Sequence, residues 1–462
     1  MAKAKKKEAL TLEEKLEQAL VPVEEQPYEV PENWCWTKIK YGFDVTSSKR
    51  IHKSDWISEG IPFYRTRELV KLSNDGYVNN ELFISKELYE SLISNFGKPE
   101  KNDILVSGVG TIGVPYIVDG TKDFYFKDGN VIWFKNKKLF TAQYVYYLYK
   151  SLFMKNQIYR KSAGTTVDTY TIVNANETIL PLPPLAEQQR IVEQIESLFA
   201  KLDAVKEIAQ EVLDSYEIRR VSILHKALNG ELTVSWREKN KVDELWEEHQ
   251  LGDITDIKSS KRVYKEDYVE KGIPFYRSSE VVDLYDTGIT EPIYFITEEK
   301  YDEIRREKGV PEEGNLLVTS VGTIGKTWIV DDRKFYYKDG NLTEVVKCDR
   351  LDMKFLQMFI MSEEFKHQVI DTVSGSAYNA LTIVKFKKIM IKLPSVDEQK
   401  EIVRLAGQLL KKEQQVKESV EEVLVNVDMM KKSILAKAFR GELGTNNPNE
   451  ESAIELLKSI LE

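Results

Sequence analysis

The chain has 462 residues, 42% of them hydrophobic and 31% charged, with a formal net charge of −9. That length allows roughly three domains, no apolar run approaches the ~20 residues a membrane helix needs, and only two cysteines, Cys35 and Cys348, argue against a disulfide framework and fit a reducing cytoplasm. The acidic balance excludes a simple polycation that grips nucleic acid everywhere, and four histidines without ligand spacing argue against a zinc site.

In chain order, the basic cluster at 1–7 has no apolar stretch behind it, so it does not read as a secretory signal. Leu10, Leu12, Leu16, Ala19 and Leu20 then form the apolar face of a short helix. Residues 33–183 are rich in Tyr, Phe, Ile and Val with turn punctuation. Runs such as 103–107 and 116–119 read as strands, Asp128-Gly129 as a tight turn, and 86–95 and 142–160 as helices. Pro183-Pro184 marks a hard boundary. After it, 185–228 has no Gly or Pro, which predicts one helix on the order of 65 Å long. Its apolar seam runs Ile195, Leu198, Leu202, Val205, Ala209, Val212, Tyr216, Arg219, Ile223, and Gly230 suits its C-terminal cap.

The same order then returns. Helices are predicted at 298–306 and 353–369, a turn at Asp339-Gly340 and a boundary at Pro394. A second long helix covers 396–439, interrupted only by Gly407, with the seam Ala406, Leu409, Glu413, Val416, Val420, Val423, Val427, Met430, Ile434. Gly441 suits its cap. Ile454, Leu456, Leu457, Ile460 and Leu461 close the chain with another amphipathic helix.

The return is an internal repeat. Ile61-Pro62-Phe63-Tyr64-Arg65 recurs 212 residues later as Ile273-Pro274-Phe275-Tyr276-Arg277, and Val109-Gly110-Thr111-Ile112-Gly113 recurs as Val321-Gly322-Thr323-Ile324-Gly325. Lys127-Asp128-Gly129-Asn130 recurs 211 residues later as Lys338-Asp339-Gly340-Asn341. A unit that long can hold its own core. The reading is therefore α+β: two duplicated globular domains separated by two long antiparallel coiled-coil helices, with pseudo-twofold symmetry. The expected boundaries are 1–32 (N-terminal helix and linker), 33–183 (first domain), 184–232 (first long helix), 233–245 (linker), 246–394 (second domain), 395–443 (second long helix) and 444–462 (C-terminal helix). Each long seam reads either as core packing on its own globular domain or as pairing of the two helices with each other; the chain order favours antiparallel pairing, because the second helix must run back towards the start. The two short terminal helices read either as frayed tails or as a docking surface for another subunit. Charge divides unevenly: residues 33–183 carry 20 Lys and Arg against 15 Asp and Glu, whereas 246–395 carry 22 against 27.

No catalytic constellation is complete. Gly108-Val109-Gly110-Thr111-Ile112-Gly113 has dinucleotide spacing, but Pro115 opposes the helix that must follow, and Ser320 replaces the first glycine in the second copy. Ser320–Thr327 resembles a phosphate loop ending in Gly325-Lys326-Thr327 but lacks its leading glycine. Both read better as tight turns between strands. Glu398-Gln399-Lys400, on a helix start, carries no nuclease role.

Leu182-Pro183-Pro184-Leu185-Ala186-Glu187-Gln188 with Arg190-Ile191-Val192 is one member of a repeated pair. The other is Leu393-Pro394 with Glu398-Gln399 and Ile402-Val403. Together with Asn229-Gly230-Glu231-Leu232 and Arg440-Gly441-Glu442-Leu443, they resemble the specificity subunit of a type I restriction-modification enzyme over nearly the full length, from Val30 onwards. The resemblance implies a cytoplasmic subunit that catalyses nothing. Its two target recognition domains would each read half of a split, asymmetric target in double-stranded DNA, and the antiparallel helices would set the gap. Two methyltransferase subunits would dock on the helices and bring S-adenosylmethionine. Restriction motor-nuclease subunits using ATP and magnesium would join them. No cofactor or metal is expected in this chain, and no membrane partner.

The repeat also sorts candidate DNA-binding residues, since phosphate contacts carry no sequence information and base contacts do. Polar residues kept in both copies suit scaffold or phosphate roles: Lys49/Lys261, Arg50/Arg262, Arg65/Arg277 and Lys127/Lys338. Residues that differ suit base reading: Arg67/Ser279, Lys71/Asp283, Asn74/Asp286, Val114/Lys326 and Thr166/Ala377. Ser47-Ser48-Lys49-Arg50 and Ser259-Ser260-Lys261-Arg262 place a basic pair beside hydroxyls in a loop, which suits phosphate. Tyr64 and Tyr276 read as core. Two rival classes stand beside this reading. One is a duplicated coiled-coil adaptor without DNA specificity. The other is an NTPase or nuclease built on the glycine turn, with activity dependent on Lys326.

Overall fold

The short apolar runs between glycine and proline turns form small antiparallel sheets, and the glycine- and proline-free stretches form long helices. The computed structural model describes residues 10–162, 168–243, 245–373 and 380–462. The chain folds as two units, one made of residues up to Ile208 together with Val423–Glu462, the other of Ala209–Glu422.

In the first unit a four-stranded antiparallel sheet runs in the order Phe43–Thr46, Val131–Asn136, Ile104–Ser107, Pro115–Ile117. Ile104, Leu105 and Val106 are fully buried, so both faces of that strand are covered. A second sheet centres on Ile61–Tyr64, antiparallel to Phe83–Ile84 and parallel to Tyr125–Phe126. Cys35–Lys38 pairs with Ile179–Leu182, joining the two ends of the domain. The second unit repeats this plan. Ile257–Lys258, Leu342–Val345, Leu316–Thr319 and Thr327–Ile329 form its four-stranded sheet. Ile273–Tyr276 again pairs parallel with Tyr336–Tyr337, and Glu247–Gln250 pairs with Met390–Leu393. The fold is α+β and duplicated down to the strand pairing. Tyr64 and Tyr276 are core residues, 7% and 3% exposed.

Three expected helices are broken, each at a serine. The stretch 142–160 is two helices, Ala142–Lys150 and Leu152–Ser162, and 353–369 is likewise Met353–Ile360 and Glu363–Val373. Ser151 Oγ donates to the Leu148 carbonyl (2.6 Å) and accepts from the Met154 amide (3.2 Å). Ser362 does the same with Phe359 and Phe365. A serine hydroxyl that caps the next turn offers the backbone an alternative to continuing the helix. The first long helix is also two segments, Leu185–Asp214 and Tyr216–Leu228. There Ser215 Oγ back-bonds to the Glu211 and Val212 carbonyls, and Arg219 reaches back to the Val212 carbonyl. The second long helix, Val396–Ala438, is continuous. Gly230 and Gly441, at φ +75° and +74°, cap the helix ends as the left-handed position requires.

Within each unit the long helices pair antiparallel. In the first, Asp203 meets Lys431 and Lys206 meets Asp428. In the second, Tyr216 donates to Gln414 (2.9 Å), and Arg219 pairs with Glu413 (2.7 Å), so the charged break in one seam answers the break in the other. Half of the expected second seam is displaced by one residue. Ala406, Glu413, Val420, Val427 and Ile434 are at least half-buried as expected. The alternate positions, however, are Leu410, Lys417, Leu424 and Lys431, and Leu409, Val416, Val423 and Met430 stand exposed. Lysine ammonium groups stand over aromatic rings there: Lys417 Nζ lies 5.1 Å from the Tyr216 ring centroid and Lys431 Nζ 5.0 Å from that of Phe199. Val205 of the first seam is exposed too.

The terminal helices, Leu12–Ala19 and Ala453–Leu461, are neither frayed nor open for docking with their apolar faces. Lys15 Nζ donates to the Leu461 carbonyl (2.6 Å), and the Ala453 amide donates to the Asn33 carbonyl (2.9 Å). Ala19, Ala453 and Leu457 are fully buried in the first domain's core.

Candidate nucleic-acid interface

The loop after Phe43–Thr46 is held by its own hydroxyls. Ser47 Oγ donates to the Val131 carbonyl (3.0 Å) and accepts from the Gly129 amide (3.3 Å), and Ser48 Oγ donates to the Phe126 carbonyl (2.6 Å). These serines therefore shape the loop, and they are already engaged rather than waiting for phosphate. The Lys49 amide donates to Tyr125 Oη (3.0 Å), and the Lys261 amide donates to Tyr336 Oη (2.6 Å), so both copies fix the loop backbone alike.

The charges at its tip differ. Lys49 Nζ lies 4.6 Å from the Phe96 ring centroid, and Arg50 is exposed. Among the described residues, no carboxylate lies within ion-pair distance of either. Lys261 instead contacts Glu303 (3.0 Å) and Glu307, and Arg262 contacts Asp339 (2.9 Å).

Arg65 and Arg277 owe their recurrence to the fold. Each precedes a helix and grips a buried glutamate in its first turn, Arg65 to Glu68 (2.7 Å) and Arg277 to Glu280 (3.0 Å). Burial pushes both carboxyls up, but the arginine guanidinium and amide outweigh it and hold them below the usual carboxylate range. Arg67, half exposed, shares Glu68 and also contacts Glu81 (2.6 Å), whereas Ser279 donates to Glu280. Lys71 and Asn74 lie exposed on the same helix, Thr66–Asp75. Lys127 and Lys338 donate their amides to the Tyr64 and Tyr276 carbonyls and keep half-buried side chains. Thr166 and Ala377 lie outside the described residues.

The structure brings two of the differing pairs together. Lys326 bonds Asp286 (2.7 Å) and stands over the Tyr285 ring (4.1 Å). Their counterparts, Val114 and Asn74, line one cleft of about 430 Å³ in the first unit. Lys150, Lys155 and Lys432 line it too, contributed by segments far apart in sequence, so no local pattern points to it. The adjoining glycine motif is a tight turn: the Gly113 amide donates to the Ser107 carbonyl (2.8 Å), with Gly110 and Gly113 at φ +82° and +76°. No group of metal-ligating side chains occurs among the described residues, and no described helix is long and apolar enough to cross a membrane.

The Glu-Gln pairs at the helix starts, visible in the sequence as a repeated motif, have a structural role that the residue patterns did not reveal. Buried Gln188 donates to the Leu139 and Pro183 carbonyls (3.1 and 3.0 Å) and accepts from the Thr141 amide (2.8 Å). Gln399 repeats this with Arg350, Pro394 and Asp352. Each glutamine ties a long helix to its globular domain. Glu187 accepts from Thr445 and Arg190, and Glu398 from Thr233, Arg237 and Trp246, so each glutamate ties the helix start to the tail that follows the other helix.

Residues 31–214 and 243–422 each match the family model of the type I restriction modification DNA specificity domain. The chain is 26% identical over 453 residues to the type I restriction enzyme EcoBI specificity subunit of Escherichia coli, covering 91% of this chain and 89% of that one. It is 28% identical over 344 residues to the EcoKI specificity subunit of Escherichia coli strain K12, covering 70% and 72%. The crystal structure of the HsdS subunit from Thermoanaerobacter tengcongensis shares its fold at a TM-score of 0.64 and 19% identity, over 91% of this chain and 100% of that one.

Proposed function

Since the chain belongs to the type I restriction-modification DNA specificity family, we propose that each of its two globular domains reads one half of a split, asymmetric target in double-stranded DNA, with the paired helices setting the gap. The observation that carries this reading is the duplication itself. Two complete α+β domains each own a basic loop, and each is latched by a buried glutamine to the start of a long helix. Readers on rigid supports have fixed separation.

The chain is a non-catalytic subunit in this reading. Two methyltransferase subunits, carrying S-adenosylmethionine, dock on the helices, and motor-nuclease subunits using ATP and magnesium join them in the cytoplasm. Exposed apolar residues support a docked partner: Leu409 and Val416 in one unit, Val423, Val425, Met429 and Met430 in the other. Lys49, Arg50, Lys127 and Lys338 suit phosphate, and Arg67, Lys71, Asn74 and Lys326 suit base edges or the groove beside them. The acidic second domain fits because partner subunits share the grip on DNA.

Co-expression with candidate methyltransferase subunits, followed by methylome sequencing, tests this. The expected result is one motif with two specified halves and an unspecified gap. A chain that co-purifies with those subunits but never alters where DNA is methylated is an adaptor instead.

A further inference from the structure

The two basic loops share a backbone and differ in charge. Their amides are anchored to equivalent tyrosines, Tyr125 and Tyr336. The helix packed beside each loop, Lys86–Phe96 in one copy and Glu298–Glu307 in the other, carries the difference. Where the first copy has Ser91 and Asn95, the second has Glu303 and Glu307, and both carboxylates hold Lys261. Asp339 holds Arg262, while its counterpart Asp128 makes no ion pair with Arg50. The same pattern recurs nearby, where Asp286 holds Lys326 and the first copy has uncharged Asn74 and Val114.

Resting on the DNA-reading role above, we propose that the two domains grip the DNA backbone unequally: Lys49 and Arg50 supply phosphate contacts in the first half-site, whereas the second domain neutralises Lys261 and Arg262 with its own carboxylates and binds its half with little counterion release. A lysine already paired with two carboxylates gains little from a phosphate, because it exchanges one anion for another. A lysine over a phenyl ring keeps its full charge for phosphate. The net charges of the two domain sequences, +5 over 33–183 and −5 over 246–395, run the same way. The first domain then dominates electrostatic attraction, and the second contributes mainly shape and base contacts.

The test measures DNA affinity against salt for the full chain assembled with its methyltransferase subunits, on the methylome-defined target and on a scrambled duplex. Each phosphate contact adds about 0.9 to the slope of log affinity against log salt. Lys49→Ala/Arg50→Ala should flatten the slope by up to about 1.8. Lys261→Ala/Arg262→Ala should leave it unchanged. Glu303→Gln/Glu307→Gln, which keeps hydrogen-bonding groups beside Lys261, should steepen it by about 0.9 and tighten low-salt binding. Equal flattening by the two basic double variants, or no response to the glutamine pair, overturns the inference while target preference persists. Loss of target preference in the unaltered complex overturns the DNA-reading role, and the inference with it.

Discussion

Gln188→Met keeps the size and shape of a buried side chain and removes its polar end. Three main-chain groups then lose their partner: the Leu139 and Pro183 carbonyls and the Thr141 amide. Leu139 and Pro183 are buried, whereas Thr141 is half-buried and water can reach it. An unmade buried hydrogen bond costs about 1–3 kcal/mol, so the loss should total about 3–6 kcal/mol, the amide counting least. For a unit of this size each kcal/mol moves Tm by about 2–4 °C, which places the fall between about 6 and 24 °C. Gln399→Met should cost less, because one of its partners, Arg350, lies on the surface. The two latches share no partner, so the double variant should lose the sum. Differential scanning calorimetry reads all three. A loss below about 1 kcal/mol for Gln188→Met would refute the latch, since it falls under the cost of one unmade bond.

Arg67→Ala should change or weaken recognition of one half-site only, by about 1–3 kcal/mol if the contact is bidentate. Arg67 is itself exposed and Arg65 still holds buried Glu68, so stability should change little. Equal loss on specific and random DNA would make it a phosphate ligand. Glu68 and Glu280 have depressed folded pKa values. Their stabilisation is therefore present above the ordinary carboxylate pKa and is lost as pH falls through the folded value. Glu68→Gln/Glu280→Gln should show a shallower acid loss of Tm than the unaltered chain, and parallel curves would refute the assignment. Lys326→Ala should leave no nucleotide-dependent activity to lose. ATP hydrolysis by the isolated chain that disappears in this variant would revive the enzyme reading.

Much of the architecture was readable because the chain repeats itself. The offset of Ile61–Arg65 to Ile273–Arg277 announced two domains, and the glycine turns and proline boundaries fell where backbone geometry requires them. Other features turn on small competitions that periodicity does not resolve. Ser151, Ser215 and Ser362 are each a single hydroxyl competing for backbone groups. In the shifted second seam the ammonium groups of Lys417 and Lys431 stand over Tyr216 and Phe199, while apolar Val416 and Met430 face outward. Recurrence also mixed two causes. Arg65 and Arg277 recur because a helix start needs them, whereas Lys49 and Lys261 recur in identical loops with different neighbours. The acidity of the second domain is written in single positions, Glu303 and Glu307 against Ser91 and Asn95, whose meaning appears only when the helix is packed beside the loop. Gln188 and Gln399 were visible as a motif, but their three-way latch joins residues about 50 apart in sequence, beyond any local pattern.

In the DNA-reading role proposed above, the paired helices measure the distance between two readers. Inserting seven residues after Ile208 and seven after Glu422 preserves a heptad seam in both helices and lengthens each by about 10 Å. Methylome sequencing with the variant should return the same two half-sites with a gap widened by about three base pairs, at 3.4 Å per step. An unaltered gap, or altered half-sites, would contradict it.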